Sequence, residues 1–300
     1  MKKLLITGSA GFLGSRIVDF YHQKYEICAP THRELDITNE ENVIRVFRKW
    51  KPDIVIHCAA VSDVGLCGKE PEKSYKINVE GSISVAKAAG TIHAKCILCS
   101  SDQVYFGISA KDAHNEEEEL CPIPVYGQQK YRAEQECLRE NPDCVVLRLS
   151  WMYDTRTMRE GEHGDFFRKL LAEIKGTGEL FYPVYDRRGI TDVNEVVKNL
   201  EEVFQIPGGV YNFGAFNDKN TYDLIHEIFE KAGFDTSRLR RNEEAFRENP
   251  RNICMRQDKI NSCGIFFSST KEGLIRNLTL PVNSNGGQRV CNKKDESELT

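Results

Sequence analysis

The sequence predicts an α/β fold, a doubly wound parallel sheet with a smaller C-terminal lobe, and three observations carry that expectation. Up to about residue 150, apolar strand-like runs alternate with amphipathic stretches, and such an alternation requires a parallel sheet with helices on both faces. The run 54–60 (Ile-Val-Ile-His-Cys-Ala-Ala) is continuously apolar apart from His57, as a strand covered on both sides should be. The first run, 4–7, breaks into glycines spaced three apart, Gly8, Gly11 and Gly14, and passes into a helical pattern through Phe12, Leu13, Ile17 and Val18.

Composition bounds the partners. The 300 residues carry a formal net charge of −4, so no whole-molecule field favours nucleic acid or a membrane surface. No apolar stretch approaches the roughly 20 residues that span a bilayer, and Met1-Lys2-Lys3 leads straight into a strand instead of a signal-peptide core. A cytoplasmic protein is expected. The 11 cysteines form no framework and read as reduced thiols filling apolar positions. Cys96 and Cys99 sit in one strand run, where residues three apart face opposite ways; they read as packing, and no metal site is expected.

The strand–turn–helix at the N-terminus offers backbone N–H groups and a positive helix end to an anion, with no Cβ in the way. A dinucleotide pyrophosphate is the natural guest, which makes Gly8, Gly11, Phe12, Leu13 and Gly14 cofactor candidates. After a second strand near 25–29 come Thr31, His32 and Arg33, with no carboxylate before Glu34. An acidic residue there holds the ribose hydroxyls of NAD, a basic one the 2′-phosphate of NADP. The balance favours NADPH with NADH admitted; a solvated Arg33 is the other reading. Asp36 and Ile37 are placed to touch the adenine.

Thr38-x-x-Glu41 reads as a capping box for a helix whose apolar face is Val43, Ile44, Val46 and Phe47. The small residues Cys58, Ala59 and Ala60 end the next strand and let a cofactor lie close, while His57 reads as a satisfied core histidine. Pro71 suits the first turn of a helix through Tyr75, Ile77, Val79 and Ile83, on which Asn78 either bonds a neighbouring loop or approaches the cofactor. The strand 94–100 ends in Ser100-Ser101-Asp102-Gln103, and the glutamate run 116–119 reads as solvated surface.

Pro122 and Pro124 lead to a helix from Val125 to about Arg139, on which Tyr126 and Lys130, four apart, share a face. A free phenol is a poor acid or base near neutrality, and a cationic lysine beside it eases its ionisation. A serine hydroxyl opposite, from Ser100-Ser101, would complete the polarisation of a carbonyl oxygen. The strand 144–149 ends in Ser150-Trp151. Beyond it the pattern loosens: a polar loop 154–164, a helix 165–175, a strand 180–184, Thr191 capping a helix to Val203, a strand 209–213, a helix capped by Asn220 or Thr221, and a short helix boxed by Ser269 and Glu272. The expected division is a Rossmann-like NAD(P)-binding domain 1–150, a mainly substrate-binding lobe 151–281 that returns in part to the sheet, and a disordered tail 282–300. Ligands of such sheets bind at the carboxyl ends of the strands, where these candidates converge.

The glycine triplet after Thr7, the pair Tyr126-x-x-x-Lys130 and the upstream serine resemble the extended short-chain dehydrogenases/reductases. The segments 35–38 (Leu-Asp-Ile-Thr), 52–56, 70–81, 125–127 and 148–153 are similar to the dTDP-4-dehydrorhamnose reductase (RmlD-like) family over about residues 1–280. The resemblance implies reduction of the 4-keto group of a nucleotide-activated 6-deoxy sugar. Lys130 then binds the nicotinamide ribose, Tyr126 protonates the C4 oxygen, and Ser101, where the family usually has threonine, orients the carbonyl. Ser62, Asp102, Gln103, Trp151, Arg187 and Arg188 are the substrate candidates. The stretch 186–192 departs from the family's Asp-Gln-x-Gly-x-Pro-Thr, and its two arginines either hold a diphosphate or are surface charge. Two rivals stand: a sugar-nucleotide epimerase or dehydratase, for which Asp102-Gln103 supplies one carboxylate of the acid–base pair, and a non-catalytic NADP-binding regulatory subunit resembling the beta subunit of methionine adenosyltransferase. A homodimer is the assembly considered.

Overall fold

The structure, a computed structural model, describes residues 1–108, 111–156 and 164–279; the tail 282–300 and most of the loop 154–164 lie outside the described residues. In chain order the first half contains β1 (Lys3–Thr7), α1 (Phe12–Tyr21), β2 (Glu26–Cys28), α2 (Glu40–Trp50), β3 (Ile54–His57), α3 (Val64–Lys69), α4 (Pro71–Tyr75), α5 (Ser82–Thr91), β4 (Lys95–Ser101), α6 (Val125–Glu140) and β5 (Val145–Leu149). The second half contains β6 (Trp151–Tyr153), α7 (Phe166–Lys175), β7 (Leu180–Pro183), β8 (Asp186–Arg187), β9 (Ile190–Asp192), α8 (Val193–Val203), β10 (Gly209–Phe213), α9 (Thr221–Ala232), β11 (Leu239–Asn242), β12 (Arg251–Asn252), α10 (Asp258–Ser262) and α11 (Thr270–Thr279).

Among the described residues, six strands form one parallel sheet in the order β10-β5-β4-β3-β1-β2. From β1 the chain turns first to β2 and then back to β3 on the other side, so the switch point lies between β1 and β3. Side chains alternate across the sheet. Leu4, Ile6, Ile54, Ile56, Ile97, Val145 and Leu147 pack with α1 and α8 on one face. Leu5, Val55, Cys96, Leu98, Cys144 and Val146 pack with α2, α5 and α6 on the other. Cys96 and Cys99 fall on opposite faces. A third apolar cluster, built on Phe167, Leu170, Leu224, Ile228 and Leu274, holds the C-terminal lobe together, and β10 is that half's contribution to the main sheet.

Several local expectations are corrected. Helix α2 is capped by Asn39, whose side chain accepts from Asn42 N, while the Thr38 hydroxyl is engaged by Asp36 at 2.7 Å. Helix α8 is capped by Asp192, because the Thr191 hydroxyl is bonded to Ser150 and accepts from Ala215 N. The glutamate run is not all solvated: Glu116 accepts from Asn212 N, and Glu118 accepts from Asn115 N and pairs with the buried His114. Between α4 and α5 the helix widens into a π-turn, Lys76–Gly81, which carries Asn78 inward. Among the described residues no helix is long and apolar enough to cross a membrane.

Candidate active site

A cleft of about 880 Å³ opens at the carboxyl ends of β1, β3, β4 and β5, the upper end of the range for ligand sites. Its floor is the turn after β1. Gly8 has φ +67°, and a Cβ there would stand 2.7 Å from the Ala59 amide, so glycine alone lets the turn press against the end of β3. Helix α1 follows with no side-chain cap and no acidic residue in its first turn. Its free N–H groups and positive end face the cleft as an uncompensated anion seat. These features fit a dinucleotide pyrophosphate.

The opposite wall comes from β4 and α6. Gly127 allows the start of α6 to press on the Gln103 carbonyl, which brings Tyr126 beside Ser101. Both line the cleft with Lys130, one turn further along α6. Burial holds the Tyr126 phenol above its ordinary range, with the Ser101 hydrogen bond acting against that. Burial likewise holds the Lys130 ammonium below its ordinary range, opposed by Cys99 and Glu134. Near neutral pH the phenol is therefore protonated and the lysine is poised to lose its charge earlier than a free one would.

Beneath them His57 is fully enclosed. Its Nδ1 meets Thr7 Oγ1 at 2.6 Å and its Nε2 meets Ser82 Oγ at 3.0 Å. Burial, and then the Lys130 charge, lower its pKa to about 3. The unfolded chain, near 6.5, takes up this proton first as pH falls. The His57 term therefore costs stability from about pH 6.5 downward to about 3, at up to about 1.4 kcal/mol per pH unit. His57→Asn is expected to flatten that acid limb, which urea unfolding at pH 4.5, 5.5 and 7.5 would measure.

The remaining wall of the cleft is assembled from distant segments. Pairing of β6 with β9 sets Trp151 opposite Ile190, and the Arg188 guanidinium lies 4.4 Å over the Trp151 ring. Arg188 Nη2 stands 3.8 Å from Asp102 Oδ2, an ion pair beyond hydrogen-bond reach, and Arg188 Nε and Asp102 Oδ2 are both buried without a hydrogen-bond partner among the described residues. Burial raises the Asp102 pKa, opposed by Arg188 and Arg251. Pairing of β8 with β12 delivers Arg251, whose Nε donates to Asp186 at 2.7 Å. Phe246 packs over it, its centroid 4.1 Å from the guanidinium carbon.

Of the sequence-derived candidates, Gly8, Gly11, Phe12, Leu13, Gly14, Cys58, Ala60, Ser62, Ser101, Asp102, Gln103, Tyr126, Lys130, Trp151 and Arg188 line this one cleft. Others do not. Arg33 is exposed in the turn after β2, away from the lining. The Asp36 carboxylate is engaged by Thr38 N and Oγ1, and Ile37 is buried in the core. Ala59 packs beneath Gly8. Asn78 takes the loop alternative, bonding Val61 N at 2.8 Å and Gln129 at 2.9 Å. Arg187 diverges from Arg188: it donates to Lys111 O at 3.0 Å and stands outside the cleft lining that holds Arg188. Arg251, Phe246 and Phe106 also line the cleft and carry no signal in the sequence: Arg251 sits in a two-residue strand, and the two phenylalanines lie outside the regular elements.

The profile described as the RmlD substrate binding domain matches residues 1–274. A dTDP-4-dehydrorhamnose reductase of Aggregatibacter actinomycetemcomitans is 28% identical over 242 residues, 77% of this chain and 80% of that protein. The methionine adenosyltransferase 2 subunit beta of Xenopus laevis is 26% identical over 255 residues, 80% of this chain and 75% of that one. The fold matches the crystal structure of a dTDP-4-dehydrorhamnose reductase from Bacillus anthracis in complex with NADP, with a TM-score of 0.79 and 25% identity over 92% of this chain and 97% of the other.

Proposed function

Since the chain belongs to the RmlD substrate-binding domain family, we propose that it is an NADPH-dependent reductase of the 4-keto group of a nucleotide-activated 6-deoxy sugar, with NADH admitted as an alternative cofactor. The observation that carries this reading is the joint burial of Tyr126, Lys130 and Ser101 around one cleft whose floor is the uncapped start of α1. The turn at Gly8, Gly11 and Gly14 with the α1 amides would hold the pyrophosphate, Lys130 the nicotinamide ribose. When bound, the reduced nicotinamide supplies the hydride.

The chain's own residues manage the proton. The Tyr126 phenol, kept protonated by burial, gives its proton to the substrate oxygen as negative charge develops there. Lys130 stabilises the phenolate left behind. Ser101 accepts from Gln103 N at 3.2 Å and donates to Asp102 Oδ1 at 3.3 Å; turning that weak donor to the substrate oxygen would polarise the carbonyl. Asp102, Trp151 and Arg188 form the wall for the sugar. Truncating Arg188 to Ala is expected to raise the substrate KM on the order of 10–100-fold through loss of a charged hydrogen bond, with the NADPH Kd unchanged. Steady-state kinetics beside NADPH fluorescence titration would measure both.

NADPH and NADH oxidation followed by absorbance, with and without a dTDP-4-keto-6-deoxy sugar, tests the reading. Substrate-dependent oxidation supports it. Cofactor binding without oxidation favours the regulatory-subunit reading that the adenosyltransferase relative motivates, and NAD retained through purification favours an epimerase or dehydratase. Gln103 sits where a second carboxylate would serve the latter. The reading extends to a cytoplasmic enzyme, an assignment that subcellular fractionation would test.

A further inference from the structure

Two thiols face the cleft and have no part in the proton chemistry above. His57 pairs with Leu98 across the β3–β4 ladder, so the next residues, Cys58 and Cys99, are cross-strand neighbours. Their Sγ atoms stand 3.6 Å apart. Both line the cleft beside Gly8 and Lys130.

A second pair in the same sheet supplies the contrast. Ile97 pairs with Val145 across β4 and β5, which makes Cys96 and Cys144 neighbours close enough to hydrogen-bond. That pair is 2% and 0% exposed within the other face's core, whereas Cys99 keeps 8% exposure and Cys58 more. Both pairs are in side-chain contact; access differs. The hydrogen bond from Cys58 and the Lys130 charge also favour the thiolate at Cys99, against burial.

We propose that Cys58 and Cys99 form a dithiol modification site within the cofactor cleft, which peroxide-class oxidants close into a disulfide and which a bound dinucleotide shields. The Cys99 thiolate attacks one peroxide oxygen, the O–O bond breaks, and the leaving hydroxide takes a proton to become water. The sulfenic acid so formed is attacked by the Cys58 sulfur; its S–O bond breaks and a second water leaves. Two thiols lose two protons and two electrons, and one peroxide becomes two waters. The sulfurs must close from 3.6 Å to about 2.0 Å; Cys58 stands one residue beyond β3 with its N–H still bonded to Thr7 O at 3.2 Å, so the closure falls on the side chains. The shielding rests on the cofactor reading of the cleft; the dithiol itself does not.

The test treats the full chain with hydrogen peroxide at stoichiometric steps, with and without NADPH at ten times its Kd, followed by alkylation and peptide mapping. Expected are the loss of two hydrogens per chain, fragment ions that place the link between Cys58 and Cys99, and reversal by dithiothreitol. Link formation slows about tenfold with NADPH by occupancy alone. The Cys99→Ser protein forms no such link while Cys96 and Cys144 remain alkylatable. Equal oxidation of Cys96 with Cys144, or oxidation of Cys58 or Cys99 singly without a link, overturns the proposal. If NADPH binds by fluorescence and gives no protection, the shielding is overturned. If it does not bind, the cofactor reading falls while the mapped link still decides the dithiol.

Discussion

Tyr126→Phe is expected to lower kcat by about 10²–10⁴-fold, the usual contribution of a positioned general acid, while the NADPH Kd moves by less than about threefold. The substitution removes one oxygen and keeps the ring that fills the space between Ser101 and the start of α6, so folding and cofactor seating should survive. No neighbouring hydroxyl takes over: Ser101 is held by Gln103 N and Asp102. Asp102 is the one nearby acid whose pKa burial raises, and any residual rate in the Phe protein should fall further in the double variant with Asp102→Asn. Single-turnover NADPH oxidation, with cofactor affinity taken from fluorescence, separates chemistry from binding. Undiminished turnover in Tyr126→Phe would falsify the assignment.

Arg148→Met is expected to cost about 3–5 kcal/mol of stability, because it strands a carboxylate inside the protein. Arg148 and Glu134 are both almost fully buried, joined at 2.7 Å through Nη2 and at 3.1 Å from Nε to each carboxylate oxygen. Ser100 donates to the same carboxylate, and Arg148 Nη1 donates to Tyr105, whose hydroxyl donates to Asn212 at 2.7 Å. One network therefore ties β4, α6, β5 and β10 directly behind Ser101 and Lys130. Urea unfolding measures the loss. The paired replacement Glu134→Leu with Arg148→Met should recover most of it, since removing both charges leaves none unpaired; a double variant as weak as the single one would refute the pairing argument.

How much of this was legible in the sequence follows from the physics of each part. The sheet was readable because strands covered on both faces must be apolar throughout, and the Tyr126–Lys130 pair because a helix brings residues four apart together. Two caps were misplaced by one residue where adjacent side chains can both cap, Thr38 with Asn39 and Thr191 with Asp192. Tertiary contacts decided: each threonine hydroxyl is engaged elsewhere. Asn78 could not be assigned because a π-turn breaks the 3.6-residue period used to place it. Arg251 arrives at the cleft through pairing of β8 with β12, each two residues long, too short to leave a pattern, and Phe246 comes from the turn segment before β12. The split of Arg187 from Arg188 depends on where a strand ends, which spacing along the chain does not encode.

The return of β10 to the main sheet bears on how this chain may be divided. Cutting after residue 150 falls at the change of character seen in the sequence, yet it strips β5 of the neighbour that pairs with it from Val145 to Leu149. The N-terminal fragment would end in a bare sheet edge, its backbone donors and acceptors open to any passing strand, with the α8 side of the core uncovered as well. Such a piece is a template for aggregation. The N-terminal half can be drawn as a module, but its solubility is vested in β10, Gly209–Phe213, far along the chain.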